Sequence, residues 1–272
     1  MLIGGSDRNK GYNDIWLLYI EEKKWEKLQF PKFSEIFSPR SGVAYSIIEN
    51  NTILPLDISK NPCERNSHCM VKDELTDKLY IFGGGTKDKL LNDLWVYDYK
   101  SKEYELIEIK DIKKIIEPRE LFGMCLHGDN LLIFGGRLMD SIDKNSYFID
   151  LKNKTCKIGN KLPFALCAFS YVKIKYENEF YIIIYGGTDG NMFSNNFIVY
   201  SFSNNTFKKS KHIINKELVN NDPNLSVFLG RISTMMSYDE KNKNIILYGG
   251  SACDKEWDIV NSVPVGDIIN NL

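Results

Sequence analysis

Arginine, histidine and proline are scarce in this chain of 272 residues, with six, three and eight copies. Excess charge of either sign is missing too: 35 basic residues face 36 acidic ones, for a net charge of −1. That balance leaves no electrostatic footprint for nucleic acid or an anionic membrane surface. No apolar run approaches the ~20 residues of a membrane helix, and the longest, Phe180 to Tyr185, has strand length. The N-terminus, Met1-Leu2-Ile3-Gly4-Gly5, lacks the charged n-region and long apolar h-region of a secretory signal. Six cysteines (Cys63, Cys69, Cys125, Cys156, Cys167, Cys253) are spread thinly along the chain. Reduced thiols in a cytoplasmic protein are the expectation. The chain favours Asn, Lys and Ile over Arg and Ala, a bias of AT-rich genomes that carries no functional information.

Motifs for chemistry are equally thin. Cys63-Glu64-Arg65-Asn66-Ser67-His68-Cys69 offers zinc-type ligands but lacks a fourth and has the wrong spacing for a structural site. Gly83-Gly84-Gly85-Thr86-Lys87 lacks the phosphate-loop spacing and leads into a strand instead of a helix. No Gly-x-Ser-x-Gly elbow is present. Four Asn-x-Ser/Thr sequons, at Asn50, Asn153, Asn204 and Asn224, are what an Asn-rich chain produces by chance. No catalytic residue, metal or cofactor is expected.

A repeat is what the chain does have. Double glycines occur at Gly4-Gly5, Gly83-Gly84, Gly135-Gly136, Gly186-Gly187 and Gly249-Gly250, spaced 79, 52, 51 and 63 residues apart. Each follows a short apolar run, such as Leu79–Phe82, Leu131–Phe134, Tyr181–Tyr185 and Ile245–Tyr248. A polar loop and a second run rich in aromatic and β-branched residues come next, as in Asp93-Leu94-Trp95-Val96-Tyr97-Asp98. A further strand is anchored by Trp25, Tyr104, Cys156 or Phe207. Another precedes each double glycine and opens with an arginine in three repeats. Each repeat thus reads as a four-stranded antiparallel meander, a to d. A single meander cannot bury both of its faces, so neighbours must stack. Strand a carries small side chains, among them Gly123, Cys125, Ala165, Cys167, Ala168, Ser233 and Thr234, which suit a strand crowded by stacked neighbours.

This pattern resembles the kelch family: an apolar strand ending in Gly-Gly, an aromatic strand downstream and an arginine at the start of strand a. The resemblance covers nearly the whole chain. It implies an all-β fold, a kelch-type β-propeller of four-stranded antiparallel blades, read as one domain over 1–272. The expected blade segments are 1–30, a degenerate half-blade at 38–57, then 64–107, 118–158, 164–208 and 230–268. The chain opens inside strand b and its last repeat decays after Gly250, so an incomplete ring is expected, with Trp257–Val260 or Ser262–Ile268 as the last third strand. The oxidase branch of this superfamily needs copper on two histidines and two tyrosines. His68, His127 and His212 fall in a strand, a turn and a loop and do not assemble such a site.

Antiparallel order puts the d–a and b–c loops at one end of each blade. All six arginines, Arg8, Arg40, Arg65, Arg119, Arg137 and Arg231, map to that end, as do Thr86, Lys87, Thr188 and Asp189 after the double glycines. Arginine presents a rigid fork suited to carboxylates. The expectation is a non-catalytic interaction module or scaffold that binds an acidic partner segment at this end, with no nucleic-acid or membrane partner. The competing expectation for any one arginine is that it pairs with a carboxylate of its own blade, such as Asp14, Asp93 or Asp98, or with a loop carbonyl. Two further readings are a sugar-acid epimerase-like enzyme, with Glu64, Glu120 and Asp189 as its acid/base candidates, and a cytoskeletal scaffold. The long connections Glu108–Glu117, with helical Ile spacing, and Lys208–Leu229 are expected at the same end.

Overall fold

A computed structural model describes residues 2–6, 11–19, 22, 24–28, 47–48, 52–53, 62–211, 230–252, 255–256 and 260–272. Arg8, Arg40, His212, most of the half-blade at 38–57 and positions 212–229 of the last long connection lie outside the described residues. The chain forms two compact units, Met1–Ile107 and Glu108–Leu272.

The first unit contains the sheet β1 (Leu2–Ser6), β2 (Gly11–Tyr19) and β3 (Lys24–Leu28), then the short hairpin β4 (Ile47–Ile48) and β5 (Thr52–Ile53). A complete four-stranded blade follows: β6 (Cys69–Lys72), β7 (Lys78–Phe82), β8 (Leu94–Asp98) and β9 (Glu103–Ile107). The second unit holds two complete blades. One is β10 (Gly123–His127), β11 (Asn130–Phe134), β12 (Ser146–Asp150) and β13 (Thr155–Ile158). The other is β14 (Cys167–Tyr176), β15 (Glu179–Thr188), β16 (Phe197–Ser201) and β17 (Thr206–Lys209). Its last sheet is three-stranded, from β18 (Met235–Asp239), β19 (Asn244–Tyr248) and β22 (Val260–Pro264). The small hairpin β20 (Ser251–Ala252) and β21 (Lys255–Glu256) lies in its b–c loop. All pairings are antiparallel between consecutive strands of a blade, which is the meander the repeat predicted and the blade of a β-propeller. The last third strand, Val260–Pro264, overlaps the end of one expected range and the start of the other, and the chain then turns into a short helix, Val265–Ile269.

Blade stacking explains why strands b and c are apolar without alternation. A strand covered on both faces needs apolar residues at odd and even positions alike. On β15, Ile182 and Ile184 face the β10–β13 blade, while Ile183 and Tyr185 face the last sheet. On β16, Ile198 and Tyr200 take the first side, and Phe197 and Val199 the second. Fully burying an aliphatic side chain of this size contributes roughly 1.5–3 kcal/mol. Val265 and Ile268 of the terminal helix complete the second core. Tyr171 crosses between inner strands, its hydroxyl accepting from Met124 N (3.1 Å) and donating to Met124 O (3.0 Å).

The small residues of strand a have the expected cause: a Cβ at Gly123 would overlap the Phe134 ring. The double glycine has two separate causes, clearest at Gly186-Gly187. Both have positive φ, 74° and 88°, the left-handed region that favours glycine. A Cβ on Gly186 would collide with the carbonyl of Arg231 in the next sheet. One on Gly187 would sit 2.7 Å from the carbonyl of Cys167 in its own blade. Gly187 N donates to Arg231 O at 2.9 Å, and Gly136 N likewise to Leu166 O at 2.9 Å. In these two blades of the second unit, the second glycine therefore ties the blade to the next.

The connection Glu108–Glu117 does contain a helical turn, Ile112–Ile115. It lies along the outermost strand of the following blade instead of at the loop end: Lys110 N donates to Lys154 O (2.9 Å), with Ile109 and Ile116 buried. It covers the edge of β13, a common protection for an exposed sheet edge.

Candidate functional site

The three strand-a arginines within the described residues share one geometry. Each lies four residues before its strand, separated from it by a residue of positive φ: Ser67 (51°), Leu121 (55°) and Ser233 (55°). Each guanidinium then reaches the carbonyl of the first glycine of its own blade. Arg65 Nη1 donates to Gly83 O (3.0 Å), Arg119 Nη1 to Gly135 O (2.8 Å) and Arg231 Nη1 to Gly249 O (2.9 Å). Each also grips a polar side chain from the segment leading into or forming strand c. Arg65 holds Asp93 with both nitrogens, at 2.7 and 2.9 Å. Arg119 holds Asp143 at 2.9 Å, and Arg231 holds the Asn261 amide oxygen at 2.6 Å. In the β14–β17 blade Leu166 takes the place of the arginine, buried and without a charge.

These arginines are blade latches. Arg119 is 0% exposed and Arg231 3%. Aromatic faces complete their surroundings, with Arg119 over the Tyr147 ring at 4.6 Å and Arg231 over Tyr185 at 5.6 Å. Burial alone pushes the Asp93 carboxyl up, but hydrogen bonds from Arg65 and Trp95 outweigh it and hold the group below the usual carboxylate value. Carbonyl and side-chain oxygens thus engage Nη1 of all three guanidinium groups and Nη2 of Arg65 and Arg231, while Arg119 Nη2 and Arg231 Nε have no hydrogen-bond partner among the described residues but are buried away from an incoming ligand.

Arg137 differs. Its side chain is 53% exposed and forms an ion pair through Nη2 with Glu120, whose side chain is 7% exposed. The backbone of Glu120 pairs with that of Arg137, so both sit where strand a begins and strand b ends. Cys167 of the next blade is close enough to feel both charges. Burial pushes its thiol up to about 11, with Arg137 opposing the shift and Glu120 adding to it. Cys167 in turn pairs with Thr188. Arg137, Glu120, Cys167 and Thr188 therefore mark one locality of the second unit.

The segments after three of the double glycines, Gly83-Gly84, Gly135-Gly136 and Gly186-Gly187, are equivalent four-residue turns. Thr86 N donates to Lys89 O (2.9 Å), Leu138 N to Ser141 O (2.8 Å) and Asp189 N to Met192 O (3.4 Å). Bridges Gly85–Leu90, Arg137–Ile142 and Thr188–Phe193 close their bases. Thr86, Thr188 and Asp189 shape these turns: the two hydroxyls bond turn backbone groups, and Asp189 Oδ1 accepts from Asn191 N and Met192 N, each at 2.9 Å. Those backbone donors hold its carboxyl below the usual value. Lys87, at a turn tip, is exposed. Two residues that the sequence reading passed over stand out here. Met139 is 74% exposed and Met192 71%. The signal was available, since each adds an apolar residue to the short segment after Gly-Gly, beside Leu138 or Phe193.

Other candidates resolve into structure. Cys69, Cys125 and Cys167 lie on inner strands, and none of the five described cysteines, these three with Cys63 and Cys156, is in a disulfide. His68 precedes β6 and His127 ends β10. Among the described residues no cluster of three or more His, Cys, Asp or Glu could hold a metal ion. No described helix is long and apolar enough to cross a membrane.

Comparison with known proteins agrees with this architecture. Residues 54–220 match the family model described as the KLHDC2/KLHL20/DRC7 Kelch-repeats domain. A curated relative, the leucine-zipper-like transcriptional regulator 1 homolog of Drosophila melanogaster, is 25% identical over 178 residues. That alignment covers 54% of this chain but 18% of the relative, so the chain spans under a fifth of that protein's length. With more than half of its residues matched by the family model and its blades built as that family requires, the chain belongs to the kelch-repeat family.

Proposed function

We propose that this chain is a non-catalytic protein-interaction module that engages partner segments with the blade ends carrying the post-glycine turns. Kelch repeats are in general non-enzymatic interaction domains, and one observation carries the reading here. The turns Thr86–Lys89, Leu138–Ser141 and Asp189–Met192 are held rigid by their own hydrogen bonds, yet they present Lys87, Met139 and Met192 to solvent, with Arg137 at the base of one of them. Rigid loops on a stacked scaffold are the usual place for recognition. A preference for acidic partners rests on Arg137 and the lysines of the Thr86–Lys89 turn, because Arg65, Arg119 and Arg231 hold their own blades. The carboxylates that an epimerase-like site would use have other engagements in the second unit: Glu120 is paired with Arg137, and Asp189 caps its turn. A cytoplasmic location is part of the proposal, consistent with described cysteines that are not in disulfides.

Affinity capture from native lysate tests this reading with wild type and two variants. One carries Lys87→Ser, Arg137→Ala, Met139→Ser and Met192→Ser. The other carries Leu75→Ser and Asp129→Ser in the a–b hairpins of the opposite blade ends. The proposal predicts partner loss with the first variant alone. Equal recovery by the first variant and wild type would refute it.

A further inference from the structure

The chemistry of the partner segment is the next question, and an answer to it rests on the interaction reading above. Three features of the second unit converge. Arg137 offers a rigid five-donor fork of which Glu120 takes Nη2 alone, and no other hydrogen bond engages it among the described residues. Met139 lies two residues further on, and Met192 closes the equivalent turn of the neighbouring blade. The two turns are neighbours, since a Cβ built on Gly190 would lie 3.4 Å from Cδ1 of Ile142, the residue that closes the base of the Leu138–Ser141 turn. Acidic residues flank the methionines: Asp140 is exposed beside Met139, and Asp189 opens the turn that Met192 ends.

This layout limits the ligand. One free guanidinium edge suits one carboxylate. A run of acidic residues would meet Asp140 and Asp189 at short range and be repelled. Two adaptable thioether side chains suit a bulky apolar neighbour of varied shape. We propose that this end of the second unit binds an internal partner segment in which a single Asp or Glu side chain adjoins a bulky apolar residue. The carboxylate takes the free edge of Arg137, and the apolar side chain packs on Met139 and Met192.

Selection from a random peptide library displayed as internal segments on phage, against the full chain, tests this. Enriched peptides are then synthesised with amidated C-termini. Binding is measured by fluorescence polarisation to wild type, Arg137→Ala, Met139→Ser/Met192→Ser and the Leu75→Ser control, all first shown by cooperative urea unfolding to be folded under the assay conditions. The expected result is enrichment of one acidic residue next to Leu, Ile, Met or Phe. Arg137→Ala and the double methionine variant should each weaken binding about tenfold or more, the loss of about 1.4 kcal/mol or more, and Leu75→Ser should change nothing. Hydrogen exchange on the complex separates the two levels of the argument. Protection of 138–141 and 189–192 by peptides rich in consecutive acids, or by peptides indifferent to both variants, would overturn the ligand class and leave the interaction end standing. Protection of the a–b hairpins instead would overturn both. Failure to enrich any peptide, or binding only through a free C-terminal carboxylate, would also overturn the proposed class.

Discussion

The Arg119 guanidinium lies 2.9 Å from the Asp143 carboxylate and 2.8 Å from the Gly135 carbonyl, entirely excluded from solvent. Asp143 is held in return by the Tyr147 hydroxyl (2.7 Å) and by the backbone and side-chain amides of Asn145. Removing one partner of such a pair strands a buried charge, at a cost of about 3–5 kcal/mol. Arg119→Ala and Asp143→Ala should each lower the urea unfolding midpoint of the protein sharply, and the double variant should be less destabilised than the two losses added. Arg137→Ala removes a half-exposed partner from the buried Glu120 carboxylate, so its cost should fall below that of Arg119→Ala, at about 1–3 kcal/mol.

Arg231 is the latch without a carboxylate. Its Nη2 meets the amide oxygen of Asn261, although the residue is almost as buried as Arg119. The arginine is desolvated already, so Asn261→Asp adds the desolvation of a single group while converting a neutral acceptor into a charged one. The expected outcome is a gain of about 1 kcal/mol in urea unfolding at neutral pH. A loss of stability would mean that burying the new carboxylate outweighs its pairing.

Glycine at 187 answers both conformation and space, whereas Gly128 answers conformation alone. Gly128 has φ 57° with nothing near the position of a Cβ. Gly128→Ala should cost about 1 kcal/mol, the left-handed penalty of an L-residue. Gly187→Ala adds the clash with Cys167 O and should cost clearly more, with loss of the blade-to-blade hydrogen bond to Arg231. Thermal unfolding of the two variants side by side reads the difference.

His68 sits three residues after Arg65, where the next blade has buried Phe122. Burial, reinforced by the Arg65 charge, pushes its imidazole down to about 4, and its Nδ1 has no hydrogen-bond partner among the described residues. The folded value lies below the ordinary 6.5, so the unfolded chain takes up the proton first. His68 therefore contributes full stability above pH 6.5, and that contribution is lost as pH falls from 6.5 towards 4, by an amount on the order of 3 kcal/mol. Urea midpoints between pH 7 and pH 4 should fall less steeply for His68→Phe than for wild type.

The sequence carried the fold well because the repeat is a backbone requirement. Gly-Gly recurs wherever a strand must approach two carbonyls at once, and runs such as Ile182–Tyr185 recur wherever a strand is covered on both faces. The arginines were located in phase, but their role turned on a detail that strand periodicity does not encode. The left-handed residue two places after each one separates it from strand a and precedes a guanidinium that reaches the blade's own glycine carbonyl. The competing expectation of a blade carboxylate partner anticipated Asp93; Asp143 and Asn261, 24 and 30 residues from their arginines, were visible only in three dimensions. The exposed methionines were missed for a different reason: an apolar residue in a short loop has no strand periodicity to show which way it faces.

The division between latch arginines and a recognition end is tested most directly by hydrogen exchange of the intact chain with and without a bound partner peptide. The account predicts slowed exchange in the turns 86–89, 138–141 or 189–192 and unchanged exchange in the hairpins at 73–77, 127–130, 176–179 and 239–244. Protection confined to those hairpins, with the post-glycine turns unaffected, would contradict it.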